Sequence, residues 1–246
     1  MTSVRRRTFR ADLLKALSAP TLLTLSSLVV IVPLLIVFMT GIADGLTAAE
    51  PTVATRTLLA IGVAGSLGCS FYGSYLVTRD DYYKAMDRSF LLAPVGIVYG
   101  SRIVVAATVG AGLSMIGVLV WTGMVALILA SHGVGLTLEP AMLALGLGIV
   151  VSGGLTAIIG CAVGWVVRNY YATIVVLLVL PSIVAPPMLA RLRDVERFLP
   201  IGAVAGLGGV PLDGLFGQVT AGAVLAGWSA LAVAAGWIVV RRRAKA

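Results

Sequence analysis

Six long apolar runs divide the chain, at residues 21–43, 54–77, 97–130, 141–167, 171–190 and 219–240. A helix needs about 20 predominantly apolar residues to cross a bilayer. Each run therefore predicts one transmembrane helix, and residues 1–246 read as a single membrane domain. The fifth run is the shortest and carries Pro181, Pro186 and Pro187. A backbone freed by proline in lipid must find partners in protein or water, so the end of this run is expected to be bent and packed.

The stretches between the runs have patterns of their own. Residues 1–20 place Phe9, Leu13, Ala16 and Leu17 at helical spacing, among Arg5, Arg6, Arg7, Arg10 and Lys15. That predicts an amphipathic helix lying in the membrane interface, stopped by Pro20. Between the second and third runs lie Arg79, Asp80, Asp81, Tyr82, Tyr83, Lys84, Met86, Asp87, Arg88 and Phe90. Thr78 or Asp80 suits a helix start and Pro94 its stop, which predicts a short charged and aromatic helix over 79–92, suited to docking another protein. Residues 191–218 are rich in Gly and Pro yet still apolar. They predict short re-entrant or extracellular helices between the fifth and sixth runs.

Composition agrees with this layout. The chain is 59% hydrophobic and 11% charged, with a mean hydropathy of +1.06. A soluble domain runs nearer 25% charged. The net charge of +8 would by itself suggest nucleic acid, but its distribution points elsewhere. With six spans, fourteen cations and four acids fall on one side, against four cations and six acids on the other. The excess of Lys and Arg marks the cytoplasmic side. Both termini are then expected in the cytoplasm of a multi-pass cell (inner) membrane protein, with no nucleic-acid partner. The first run is too long and starts too late for a cleaved leader, and reads as a retained span.

Chemistry is sparse. None of Lys15, Lys84 and Lys245 sits in a phosphate-binding loop. The stretch Val151-Ser-Gly-Gly-Leu155 looks like an ATPase signature but lies inside an apolar run. Cys69 and Cys161 read as small buried hydrophobes, and His132 as an interface residue. No metal cluster or catalytic triad can be assembled. No acid lies within a run, whereas ion-coupled carriers usually hold one in the membrane. Arg56 and Arg102 sit near span ends, where their heads can snorkel to the interface. Glycines spaced by four (Gly96 with Gly100, Gly160 with Gly164) suit close helix packing.

Three stretches carry a family likeness: Ser74-Tyr-Leu-Val-Thr-Arg79, Phe90-Leu-Leu-Ala-Pro94, and Gly100-Ser-Arg102 opening the third run. The ending, from Gly227-Trp228 through Gly236-Trp237 into Arg241-Arg-Arg, adds to it. With the six-run layout, the chain resembles the permease subunits of ABC type-2 exporters over nearly its whole length. Where members often carry Glu at the end of the second span, this chain has Asp80 and Asp81. The resemblance implies an all-α fold of six spans. It also implies a coupling helix at 79–92 seated on a separate ATPase subunit, and an N-terminal helix flanking it. It implies a second permease copy or a sibling permease, with the second and fifth spans at the dimer interface. ATP and Mg would reside on the partner, with no cofactor in this chain, and the cargo would be hydrophobic or amphipathic: drug, antimicrobial peptide, lipid or glycolipid. The competing expectations are an ion-coupled secondary transporter and a membrane assembly factor or haem-export-type permease.

Overall fold

A computed structural model describes residues 2–18, 21–45, 50–180, 183 and 193–243. Every regular element among them is helical. Helix α1 spans Thr2–Leu17 and α2 spans Thr21–Thr40, with Pro33 inside it. Helix α3 runs Pro51–Tyr82, with a 3-10 segment at Gly62–Gly65. Then follow α4 (Ala85–Leu92), α5 (Val95–Ser131) and α6 (Pro140–Val167). Helix α7 (Tyr170–Val179) has π geometry over Val175–Val179. Helices α8 (Pro200–Leu207) and α9 (Gln218–Arg243) close the described chain.

Four of these, α3, α5, α6 and α9, are long and apolar enough to cross a membrane. They mark an all-helical membrane protein. Their ends fall within a few residues of the second, third, fourth and sixth apolar runs, except at the end of α3. The apolar stretches Ser27–Thr40 of α2 and Tyr170–Val179 are shorter. Of the fifth run, residues 181, 182 and 184–190 lie outside the described residues.

The bundle is built around α3. Its most apolar window has a mean hydropathy of only 1.3 and is 61% buried, against 2.0 and 22% for α9. The less hydrophobic helix is the one surrounded by protein, and the more hydrophobic one faces outward. Helix α6 lies along α3 at very short range. A Cβ on Gly160 would collide with the Ser70 carbonyl, and one on Gly73 with the Ala157 carbonyl. Only glycine permits such an approach. Gly164 also packs, beside Ser74 and Val77, whereas Gly100 faces open space.

One apolar core, with Tyr72, Val77, Met86, Val98 and Trp165, fills the end of the bundle nearest α1. A second, with Leu58, Trp121, Val125 and Leu129, fills the other end, where the Trp121 indole donates to the Leu58 carbonyl at 2.9 Å. Helices α8 and α9 share a third, of Ala203, Leu207, Ala221 and Leu225. At the α1 end, Arg243 donates to the carbonyls of Trp165 and Val166 at 3.1 and 3.2 Å. A cation from α9 thus satisfies carbonyls that the last turn of α6 leaves open.

The single helix expected over 79–92 is divided. Helix α3 continues through Arg79, Asp80, Asp81 and Tyr82, and the chain turns at Lys84, whose φ of 52° lies in the left-handed region. Helix α4 begins only at Ala85. The extension of α3 follows from what Asp80 meets there.

Candidate functional site at the charged end of the bundle

Asp80 sits on the last turns of α3 and is 2% exposed. A carboxylate so buried is stable only when paired and hydrogen-bonded. Three cations supply this. Lys15 Nζ from α1 lies 2.6 Å from Oδ1 and 2.7 Å from Oδ2. Arg102 Nη2 from α5 forms a short ion pair with Oδ2. Arg79 Nε lies 3.8 Å from Oδ1.

Arg102 is itself 3% exposed. Its Nη1 donates to the Leu76 carbonyl at 2.7 Å, and its Nε lies 3.8 Å from Asp12 Oδ1. Asp12 accepts a 2.6 Å hydrogen bond from the Ser101 hydroxyl. Tyr72 Oη reaches back to the Ala16 carbonyl at 3.2 Å. Asp12, Lys15, Leu76, Arg79, Asp80, Arg102 and Val105 line a small cavity. This hub ties α1, α3 and α5 together at one point. Arg102 is therefore a buried partner of Asp80 and does not snorkel, and the long helix containing the second run does carry a buried acid.

Just beyond the hub, α3 and α4 form an elbow. Tyr82 and Tyr83 are 75% and 72% exposed and meet edge to face at 5.2 Å. Leu91 and Leu92, at the other end of α4, are 87% and 84% exposed. Inward, Met86 is buried and Phe90 stacks on Trp165 at 6.3 Å. Asp81 pairs with Arg168 at 2.6 Å, bracing the elbow against the α6–α7 connection. Arg79 lies over the Tyr75 ring at 5.4 Å.

The sequence-predicted residues do not all face the same way. Tyr82, Tyr83, Lys84 and Arg88 are exposed on the elbow. Asp80, Met86 and, in part, Arg79 and Phe90 turn inward, so the expected docking face is narrower than its sequence. The Asp87 side chain lies outside the described residues. On α1, Phe9 and Leu13 pack on the bundle and Arg6, Arg7 and Arg10 are exposed. Lys15 belongs to the hub, and Leu17 is exposed rather than packed. Asp12, Ser101, Arg102 and Arg168 were missed. For Asp12 a signal existed, since it stands one turn from Ala16 and Phe9 on their helix face.

All seven tyrosines, at 72, 75, 82, 83, 99, 170 and 171, gather at this end. Tyr170 meets Phe71 and Tyr75 at 5.6 and 6.1 Å, and Tyr99 lies 5.5 Å from both Trp165 and Trp237. Such amphipathic rings concentrate where a membrane meets water.

A contrasting acid lies between α7 and α9. Glu196, in the turn Arg193–Glu196, is 1% exposed, and neither carboxylate oxygen has a hydrogen-bond partner among the described residues. Burial holds its carboxyl above the ordinary 4.5. Beside it the Arg197 guanidinium lies over the rings of Phe198 and Phe216 at 5.3 and 5.2 Å. Trp228 Nε1 donates to the Phe198 carbonyl at 2.7 Å. Among the described residues no group of His, Cys, Asp and Glu could hold a metal ion.

Compared with protein-family models and with curated proteins, the chain matches none.

Proposed function

We propose that the chain is the membrane-spanning permease subunit of an ATP-driven exporter of the ABC type-2 class. In this reading it has six spans, with α2 and the 171–190 run joining the four long helices, and both termini are cytoplasmic. Helix α1 is the interfacial helix, and residues 191–218 form the outer re-entrant region. The protein has no ATPase site of its own. A separate subunit binds ATP and Mg, and a second permease copy or a sibling completes the path for a hydrophobic or amphipathic cargo.

The observation that carries this reading is the elbow mounted on the hub. Tyr82, Tyr83, Leu91 and Leu92 are exposed large hydrophobics beside charged Lys84 and Arg88. Aromatic residues and Arg are enriched at protein interfaces, and Tyr82, Tyr83 and Arg88 are of these types. Directly behind them, the buried Asp80 joins three helices through its ion pairs, which suits a device that passes a push at the elbow into the spans.

Co-purification with a nucleotide-binding subunit tests the reading. Tyr82→Ala/Tyr83→Ala/Leu91→Ala is expected to abolish capture of that subunit while leaving the permease folded. Retained capture would overturn the docking assignment. A second reading, an ion-coupled carrier, gains from Glu196, a buried carboxylate free to take up a proton. Gradient-driven transport by the reconstituted chain without ATP, lost in Glu196→Gln, would favour that reading over the first.

A further inference from the structure

Helix α1 has two faces, and the hub uses only one of them. Phe9, Asp12, Leu13 and Ala16 point to the bundle: Phe9 and Leu13 pack on its core, Ala16 is 1% exposed, and Asp12 bonds Ser101. Tyr72 and Asp80 hold Ala16 and Lys15 from the α3 side. With anchors at Asp12, Leu13, Lys15 and Ala16, four of the five residues 12–16, the rotation of the helix about its axis is fixed.

The opposite stripe is fixed by the same anchors. Arg7, Arg10, Leu14 and Leu17 recur at spacings of three and four, which places them on one side of a helix. All four are exposed, Leu14 at 59% and Leu17 at 52%. Arg5 and Arg6 lie at the cationic end of the helix, beside the stripe (Arg5 on the Phe9 side), and are exposed as well. Among the described residues Arg5, Arg6, Arg7 and Arg10 make no ion pair. The helix has a single acid, Asp12, and it is turned inward and engaged.

We infer that this outer stripe of α1 is a binding site for anionic phospholipid, with the arginines on headgroup phosphates and Leu14 and Leu17 among the acyl chains. The inference rests on the interfacial placement of α1 in the proposed function. Charge complementarity selects the occupant: four unpaired guanidiniums match phosphates, which they bind in a bidentate fashion. A basic stripe with adjoining leucines is the pattern of helices that lie in an anionic membrane surface. Leucines this exposed would face water if the stripe were simply solvated.

The full chain, purified in detergent, is mixed with phosphatidylcholine and phosphatidylglycerol in equal amounts, and the retained lipid is measured. Retention of phosphatidylglycerol over phosphatidylcholine is expected at about tenfold or more in moderate salt, falling in high salt. Arg5→Gln/Arg6→Gln/Arg7→Gln/Arg10→Gln is expected to lose most of that preference, and the four Lys replacements to keep it. Leu14→Ala/Leu17→Ala is expected to lower retention of both lipids and leave their ratio unchanged. No preference in the native chain, or an unchanged preference in the Gln variant, would overturn the inference. So would a Gln variant that keeps its lipid ratio but loses the ATPase subunit, since the stripe would then be a protein dock. Lipid preference without any ATPase partner would leave this inference standing and remove only the transport reading.

Discussion

Asp80 and Glu196 are both almost inaccessible to solvent and are oppositely treated. Asp80 meets Lys15, Arg79 and Arg102, whereas Glu196 has no hydrogen-bond partner among the described residues. The partnered acid keeps its charge and fixes three helices. The unpartnered one is most easily buried with a proton on it. The same carboxylate group therefore serves as a permanent joint at one end of the molecule, in Asp80, and as a titratable group in the turn before α8, in Glu196.

The sharpest way to break this contrast is Asp80→Ala. It leaves Arg102 buried with its main counter-charge gone, and a cost of about 3–5 kcal/mol is expected, read as a lower unfolding midpoint in detergent. Asp80→Leu/Arg102→Met is expected to restore most of it, since removing both charges removes the unpaired one. A silent Asp80→Ala would mean that the hub is not what joins α1, α3 and α5.

Glu196→Gln has the opposite sign. The folded state holds a carboxyl proton above the ordinary 4.5. The stability this group contributes is complete below that value and is lost as pH rises through the raised folded value. The Gln variant is therefore expected to be more stable than the native chain at pH 7 to 8, on the order of 1 kcal/mol. The difference should close as pH falls towards 4.5. A midpoint difference independent of pH would show that Glu196 does not carry the effect.

Lys15→Ala tests the outermost cation of the hub. Its side chain is 42% exposed, so solvent screens it, and a loss below about 1 kcal/mol is expected, shrinking in high salt. The smallest effect belongs to Asp81→Asn, whose pair with Arg168 has side chains 27% and 31% exposed. A change under about 0.5 kcal/mol is expected there, with unfolding midpoints ranking the four positions.

Much of this architecture was legible as hydrophobic runs. The second, third, fourth and sixth runs each became one long helix, because a stretch of that length and composition has few other ways to satisfy its backbone in lipid. The end of α3 was not legible. Asp80, read alone, looks like a helix start in water. Its partners lie 65 and 22 residues away in sequence, at Lys15 and Arg102, and no local pattern announces such a pairing. Once neutralised, the charge ceases to end the helix, and the turn moves on to Lys84. Likewise Leu17 matched the packed face by spacing, but the anchors at Asp12 and Lys15 set the helix rotation and leave it outside. The Glu196 site was invisible because its chemistry lies in burial without a hydrogen-bond partner among the described residues, which only the folded chain reveals.

The gathering of all seven tyrosines at one end gives the molecule a native chemical label of its own orientation. Tyr82, Tyr83 and Tyr171 are at least 72% exposed, so a phenol-directed reagent unable to cross a bilayer would mark sealed vesicles only when that end faces the reagent. Topology could then be read from the unaltered chain, by mass spectrometry, without adding a tag that shifts the balance of charge across the membrane.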